Sequence, residues 1–336
     1  SGIYKALEQS DDNTLDYSTL SQKIFNALNL DQTEYAASPS DFAGPRIENE
    51  NALKDYLTYR VLYDLRRGWR VILPNLEQCG LLEIGYKHLE ENCSLDNYWQ
   101  SVPYFDQMSP EDREKIVFQV LDYFRRSYAI YSTEYLTSDQ ISRKRKIINE
   151  KLKPAWKFDD QERIQEPYFL FYETLNSRSR MFKASIGYGS GLGKYLRAEL
   201  KSFAPDKIKT IEYVEIISSL LELLARAGWL KSFPAQNKDG NNSHTYLLLI
   251  DSIVWKMGEG NEVIPDLVKN RSYKTVIQQP NKFFQQVYKT DFGKLKKYEG
   301  REHTGQLKVD DRIDREEKFR EGDISALFCS PTMELG

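Results

Sequence analysis

The chain has 336 residues, of which 40% are apolar, 29% charged and 13% aromatic, and its formal net charge is −3. That length predicts two or three folded units, and the composition excludes a disordered chain. The near-neutral balance excludes a uniformly basic binder of nucleic acid or membrane, so any basic surface is local.

Residues 1–47 read as polar and interrupted, with one short helix expected around Ser18–Leu28. The stretch "ENENALKDYLTYRVLYDLRRG" predicts a strong helix. Leu53, Leu57, Val61 and Leu65 recur every four residues, with Ala52, Tyr56 and Leu62 beside them. Acidic residues open it, Arg66 and Arg67 close it, and Gly68 supplies a C-cap. "WRVILP" and "GLLEIGY" (80–86) read as short strands. In "SPEDREKIVFQVLDYFRRSYAI", Ser109 is the cap, Pro110 the first helical residue, and Glu111 and Asp112 suit the helix dipole. A further helix is expected at about 138–153, and 168–205 reads as irregular to helical.

Residues 208–257 follow a different pattern. "IKTIEYVEIISSLLELLARAGWLK" predicts a long amphipathic helix ended by Gly228. "WLKSF" reads as a strand, "PAQNKDGNNS" as a polar hairpin loop, and "HTYLLLI" as a strand that "SIVWKMG" extends. With a helix at 190–202 before it, this is the element order of a winged helix-turn-helix. Residues 258–275 read as a linker, and the remainder alternates toward α/β. The expected fold class is mixed, mainly α. Residues 1–185 form a helical region with a small β element, 186–260 a winged-helix unit, and 261–336 a linker with a partial α/β domain.

Candidate chemistry is local. In "GYGSGLGKY" (187–195), Gly193 and Lys194 sit where a phosphate-binding loop has its Gly-Lys pair. Tyr188 and Tyr195 then occupy the places of the first glycine and the metal-binding hydroxyl, so a flexible helix entry is the better reading. Basic clusters fall at 64–70 (Arg66, Arg67), 142–146 (Arg143, Lys144, Arg145) and 177–183. Such clusters suit phosphate contacts, but each alone is better read as a helix C-terminus or a solvated helix face. For the winged-helix unit, a nucleic-acid role and a structural role both stand open; its loop carries one lysine, Lys238. The three cysteines (Cys79, Cys93, Cys329) and three histidines (His88, His244, His303) form no zinc-spaced pair and no nucleophile–base constellation. The odd cysteine count suits a reducing, cytoplasmic setting, and no apolar run approaches the roughly 18 residues of a membrane span. The chain begins with Ser, and both ends read as cut from something longer.

The C-terminal stretch "REHTGQLKVDDRIDREEKFREGDISALFCSPTMELG" resembles the second RecA-like domain of superfamily-2 helicases. The matching elements are His303, then Arg312, Glu316, Phe319 and Gly322, a buried strand at 324–329, and a loop from Ser330 to Gly336. "SPTMELG" is similar to motif V of large bacterial DEAD/DEAH-box helicases, which normally continue with Ile-Asp-Ile. "DLRRGWRVILPNLEQCGLL" (64–82) and "PNKFFQQVYKT" (280–290) look like segments between the two motor domains of those proteins. The resemblance implies a piece of an ATP-dependent DNA helicase or translocase, comprising the inter-motor insertion and the start of the second RecA-like domain. It implies that Ser330, Thr332 and His303 lie toward nucleic acid and Gly336 toward nucleotide. It implies ATP and Mg in the full-length parent, with no cofactor expected on this chain. It also implies DNA, single-stranded or forked, and the missing RecA-like domain of the same parent as partners, with no membrane. The sequence has no phosphate loop, Asp-Glu metal box or arginine-finger motif, so this chain is expected neither to hydrolyse ATP nor to bind it tightly. Residues 324–336 are expected to be poorly packed. The alternative is a winged-helix module that binds nucleic acid or docks protein without motor activity.

Overall fold

The structure, a computed structural model, describes residues 2–66, 74–159, 162–176, 183–269, 279–290, 300–303 and 308–329. Contacts divide the chain into one unit at 1–288 and a second at 289–336. The first half of unit 1 contains α1 (Gly2–Glu8), β1 (Thr14–Asp16), α2 (Tyr17–Leu28), α3 (Gln32–Tyr35), α4 (Ala43–Asp64), β2 (Leu82–Tyr86), α5 (Leu89–Cys93), α6 (Asp96–Trp99), α7 (Pro110–Arg126), β3 (Ile130–Tyr131) and α8 (Ser138–Lys151). It continues with β4 (Phe169–Phe171), β5 (Lys183–Ser185), α9 (Gly191–Glu199), α10 (Thr210–Arg226), β6 (Leu230–Gln236), β7 (Asn242–Leu249), β8 (Ile253–Met257) and α11 (Lys282–Lys289). Unit 2 contains β9 (Gly300–His303), α12 (Val309–Glu321) and β10 (Ala326–Cys329). The fold is mixed and mainly helical.

The long helices form where apolar residues recur on one face. On α4, Leu53, Leu57 and Val61 are buried, as the four-residue spacing predicts. On α7, Ile116, Val117, Val120, Leu121 and Phe124 face the core, and α10 buries Ile216, Ile217, Leu220, Leu221 and Leu224. Each such side chain contributes roughly 1.5–3 kcal/mol when fully buried. Ser109 caps α7, its hydroxyl accepting from the Asp112 N–H at 3.1 Å, with Pro110 just inside. Ser109→Ala should cost about 1 kcal/mol, read as a shift in the denaturant midpoint with an unchanged slope.

Several expectations need correction. The N-terminal 47 residues hold more than one helix: α1 buries Ile3, Tyr4, Ala6 and Leu7. The apolar positions of α1 and of α2, Leu20, Ile24 and Ala27, are buried, while Phe42 and Ile47 are exposed. β6 and β7 run longer than expected, leaving 237–241 as the hairpin loop, and Pro234 lies within β6. Proline is tolerated there because β6 pairs with β7 alone. β8 does not extend β7. A single 3₁₀ turn at Ile250–Ser252 separates them, and β8 pairs antiparallel with β1 and β2 in a three-stranded sheet.

β7 is also the hub of a five-stranded sheet, bonded to β3, β4 and β6, with β5 beside β4. Strands from before residue 186 thus share the sheet of the β6–β7 hairpin, and unit 1 continues to residue 288. The hairpin turn is itself tied down: the Lys238 N–H donates to the Thr174 carbonyl at 2.8 Å, and the Asn176 N–H to Gln236 at 3.0 Å.

Buried charge is concentrated on α7. Arg125 is 1% exposed; it forks onto both Glu77 oxygens at 2.8 Å and donates through Nε to Asp122 at 2.7 Å. Arg126 reaches the other Asp122 oxygen and Glu77. α11 is fastened by Gln285, whose amide donates to the carbonyls of Cys79 at 2.8 Å and Gly260 at 2.7 Å. The Tyr288 hydroxyl adds a bond to the Pro74 carbonyl at 2.7 Å.

Candidate functional site

Unit 2 is a strand–helix–strand unit with β9 and β10 paired in parallel, Gly300 opposite Ala326 and His303 opposite Cys329. Parallel neighbours need a crossover, and α12 supplies it. Its C-terminus is set by Gly322, whose φ of +82° puts it in the left-handed region that favours glycine, with its N–H returned to the last turn. Arg312, Glu316 and Phe319 are spaced by four and three residues, which places them on one helix face.

His303 closes β9 at the strand's C-terminal end, where open α/β sheets hold ligands. It is 5% exposed, and its Nε2 lies 3.0 Å from Glu316 Oε1. With Nε2–H donating to that carboxylate, Nδ1 is the nitrogen left for another partner. Among the described residues, His303 Nδ1 and Arg312 Nε have no hydrogen-bond partner. The Arg315 guanidinium donates to the Glu302 carbonyl and so ties α12 to β9. The strand expected to be buried at 324–329 is buried at Ile324 only, and Phe328 is 67% exposed, in line with the poor packing expected of this stretch.

Ser330, Thr332, Gly336 and Arg67 lie outside the described residues, as do Gly68, residues 69–73 of the expected first strand and residues 177–182 of the third basic cluster. Arg66 donates to Gln165 Oε1 at 2.6 Å, so part of its guanidinium is committed within unit 1. The 142–146 cluster is split by packing. Lys144, expected on a solvated basic face, sits 2.7 Å from Asp55 and 4.3 Å from the centroid of the Tyr135 ring, 13% exposed. Arg145 donates to the Asp159 carbonyl at 2.8 Å. Arg143 remains exposed, bonded to Gln140 at 2.7 Å. The cluster therefore offers a smaller phosphate-facing surface than its composition suggests.

No protein-family model matches the sequence, and no curated protein or solved structure matches the chain.

Cysteine chemistry is muted at two of three positions. Burial pushes the Cys79 thiol up and the Cys93 thiol up to about 12, so neither supplies a thiolate near neutral pH. Among the described residues no group of three or more His, Cys, Asp or Glu is placed to hold a metal ion, and no helix is long and apolar enough to cross a membrane. Lys194, weighed above only as part of a phosphate loop, lines one groove with Arg197, Lys201 and Lys207. The available signal was the spacing of Lys194, Arg197 and Lys201 by three and four residues, which runs from α9 into the 3₁₀ turn Leu200–Ser202.

Proposed function

We propose that this chain is part of an ATP-dependent DNA helicase or translocase, with unit 1 as an accessory module that guides nucleic acid and unit 2 as part of a RecA-like motor domain. The observation that carries this is the parallel β9–α12–β10 unit, with His303 at a strand end joined to Glu316 on the crossover helix. This element order supports the helicase resemblance. ATP and Mg belong to the full-length parent. Gly336, which the resemblance sets toward nucleotide, lies outside the described residues.

A fluorescence-anisotropy titration with single-stranded, duplex and forked DNA across salt tests the nucleic-acid half. Binding that weakens steeply with salt is expected, with a log–log slope of about −0.7 to −0.9 for each phosphate contacted. A slope near zero would count against a phosphate-tracking surface. The chain alone should show no DNA-stimulated ATP hydrolysis, since its sequence has no phosphate loop; a clear signal would contradict that. A second reading, a winged-helix binding module without a motor, is favoured by the α9–α10–β6–β7 order. The parent gene separates the two, because only the motor requires a phosphate loop upstream and an arginine-finger motif downstream.

A further inference from the structure

The described basic clusters named from sequence are partly consumed by packing, yet a basic groove stands elsewhere in unit 1. It lies between α9 and the segment leading into α10, with a volume of about 710 Å³. Lys194, Arg197, Lys201 and Lys207 line it, against a single carboxylate, Asp206. In a chain of net charge −3 this is a local excess of positive charge.

The lysines are uncommitted. Lys194, Lys201 and Lys207 are exposed, and none has an ion partner among the described residues. Arg197 is held in place. Its guanidinium stacks on the Tyr188 ring, 3.6 Å from the centroid, and donates through Nε to the Gly193 carbonyl at 3.2 Å and through Nη2 to the Tyr188 carbonyl at 3.1 Å. Nη1 is left without a partner among the described residues.

The walls are fixed as well. The Tyr188 hydroxyl donates to the Ile208 carbonyl at 3.3 Å, tying the segment before α9 to the segment before α10. Tyr213 packs edge-on to Tyr188 and donates its hydroxyl to the Ile186 carbonyl at 2.8 Å. A groove already ordered loses little conformational freedom when it binds.

We infer that this groove binds the phosphodiester backbone of nucleic acid, with Lys194, Arg197, Lys201 and Lys207 as the phosphate contacts. Lys194 lies on α9 and Lys201, seven residues on, in the 3₁₀ turn Leu200–Ser202 that continues it, roughly 10–12 Å further along the axis. The phosphates of one strand advance by about 3.4 Å along the duplex axis, so the row suits a run of consecutive phosphates better than one isolated anion. Just past the groove, Ile211 is 87% exposed in the first turn of α10 beside exposed Thr210. An apolar group and a hydroxyl at the start of a helix that follows another helix are placed to meet base edges while the lysines hold the backbone. The inference rests on the nucleic-acid half of the function proposed above and is independent of the motor half.

The test compares the full chain with Lys194→Glu/Lys201→Glu and, separately, Lys207→Glu. The probes are a fluorescein-labelled single strand and duplex, titrated across salt. Lys282→Glu, an exposed charge reversal on α11, is the control. The double variant should bind at least tenfold more weakly and lose about two phosphate contacts from the salt slope, with an unchanged melting temperature. Lys207→Glu should weaken binding by a smaller factor, and Lys282→Glu should leave it unchanged. Wild-type binding with the same affinity and slope in both groove variants would overturn the groove and leave the nucleic-acid function standing. No binding by the wild type would overturn both. Groove-dependent binding to phosphatidylserine vesicles, without DNA binding, would assign the site to a membrane surface and overturn the inference.

Discussion

Asp122→Ala should lower the unfolding free energy by about 3–5 kcal/mol, the usual cost of removing one partner from a buried ion pair. The residue accepts from Arg125 Nε at 2.7 Å and from Arg126, and the Tyr86 hydroxyl donates to it at 3.3 Å. Its loss strips the buried Arg125 guanidinium of one carboxylate and leaves Glu77 to balance it alone. Burial by itself pushes the Asp122 carboxyl up, but Arg125 and Arg126 outweigh that and hold it below the usual carboxylate range. A folded-state pKa below the unfolded value, ordinarily about 3.9, stabilises the fold fully above that value. The contribution is lost as pH falls through the lower folded pKa. The wild type should therefore lose stability on acidification below about pH 4, and Asp122→Asn should flatten that limb of the profile. Urea unfolding at neutral and acid pH reads both effects; a loss under about 1 kcal/mol for Asp122→Ala would show that the network is not a buried one. Replacing Asp122 and Arg125 together by apolar residues should cost less than Asp122→Ala alone, because no charge is then stranded.

Gly193→Ala should destabilise unit 1 by about 1–3 kcal/mol, the usual cost of forcing extra atoms into a packed site. A Cβ there would lie 2.5 Å from the Gly187 carbonyl oxygen and 2.8 Å from that of Tyr188. Both are backbone atoms, and those carbonyls belong to the turn whose Ser190 hydroxyl accepts from the Gly193 N–H at 2.9 Å. Two of the acceptors that hold Arg197, the carbonyls of Gly193 and Tyr188, would shift with them. Gly189→Ala is the matched control, since nothing lies within 4 Å of its added Cβ. Thermal melts should separate the two variants by several degrees. Equal melting temperatures would mean that the turn relaxes without cost.

The two glycines show how far the sequence could be read. "GYGSGLGKY" is visibly glycine-rich, and its failure as a phosphate loop follows from Tyr188 and Tyr195. The reason for Gly193, close backbone approach at a capped helix start, depends on where residues 187 and 188 fold back. Lys144 makes the same point for charge. Its neighbours in sequence are basic, so it reads as part of a cationic face, while the residue that claims it is Asp55, 89 positions away. In unit 2, Gly322 was named only as part of the helicase resemblance, and its φ of +82° shows it to be the C-cap of α12. The exposure of Phe328 agrees with the poor packing expected of 324–336.

Local rules carried by the sequence alone determined the long helices α4, α7 and α10, the Ser109 cap and the β6–β7 hairpin. Each depends on residues within a few positions of one another, through apolar spacing, capping hydroxyls and turn chemistry. Only the tertiary structure decided that β8 leaves β7 to join β1 and β2, and that Arg125 is buried between Glu77 and Asp122. It also decided that Lys144 and Arg145 of the cluster at 142–146 are held by Asp55 and Asp159, while Lys194, Arg197, Lys201 and Lys207 line one groove. Strand partners and charge partners are chosen across tens to hundreds of residues by which surfaces the folded chain brings together, and no periodicity in a local window encodes that choice.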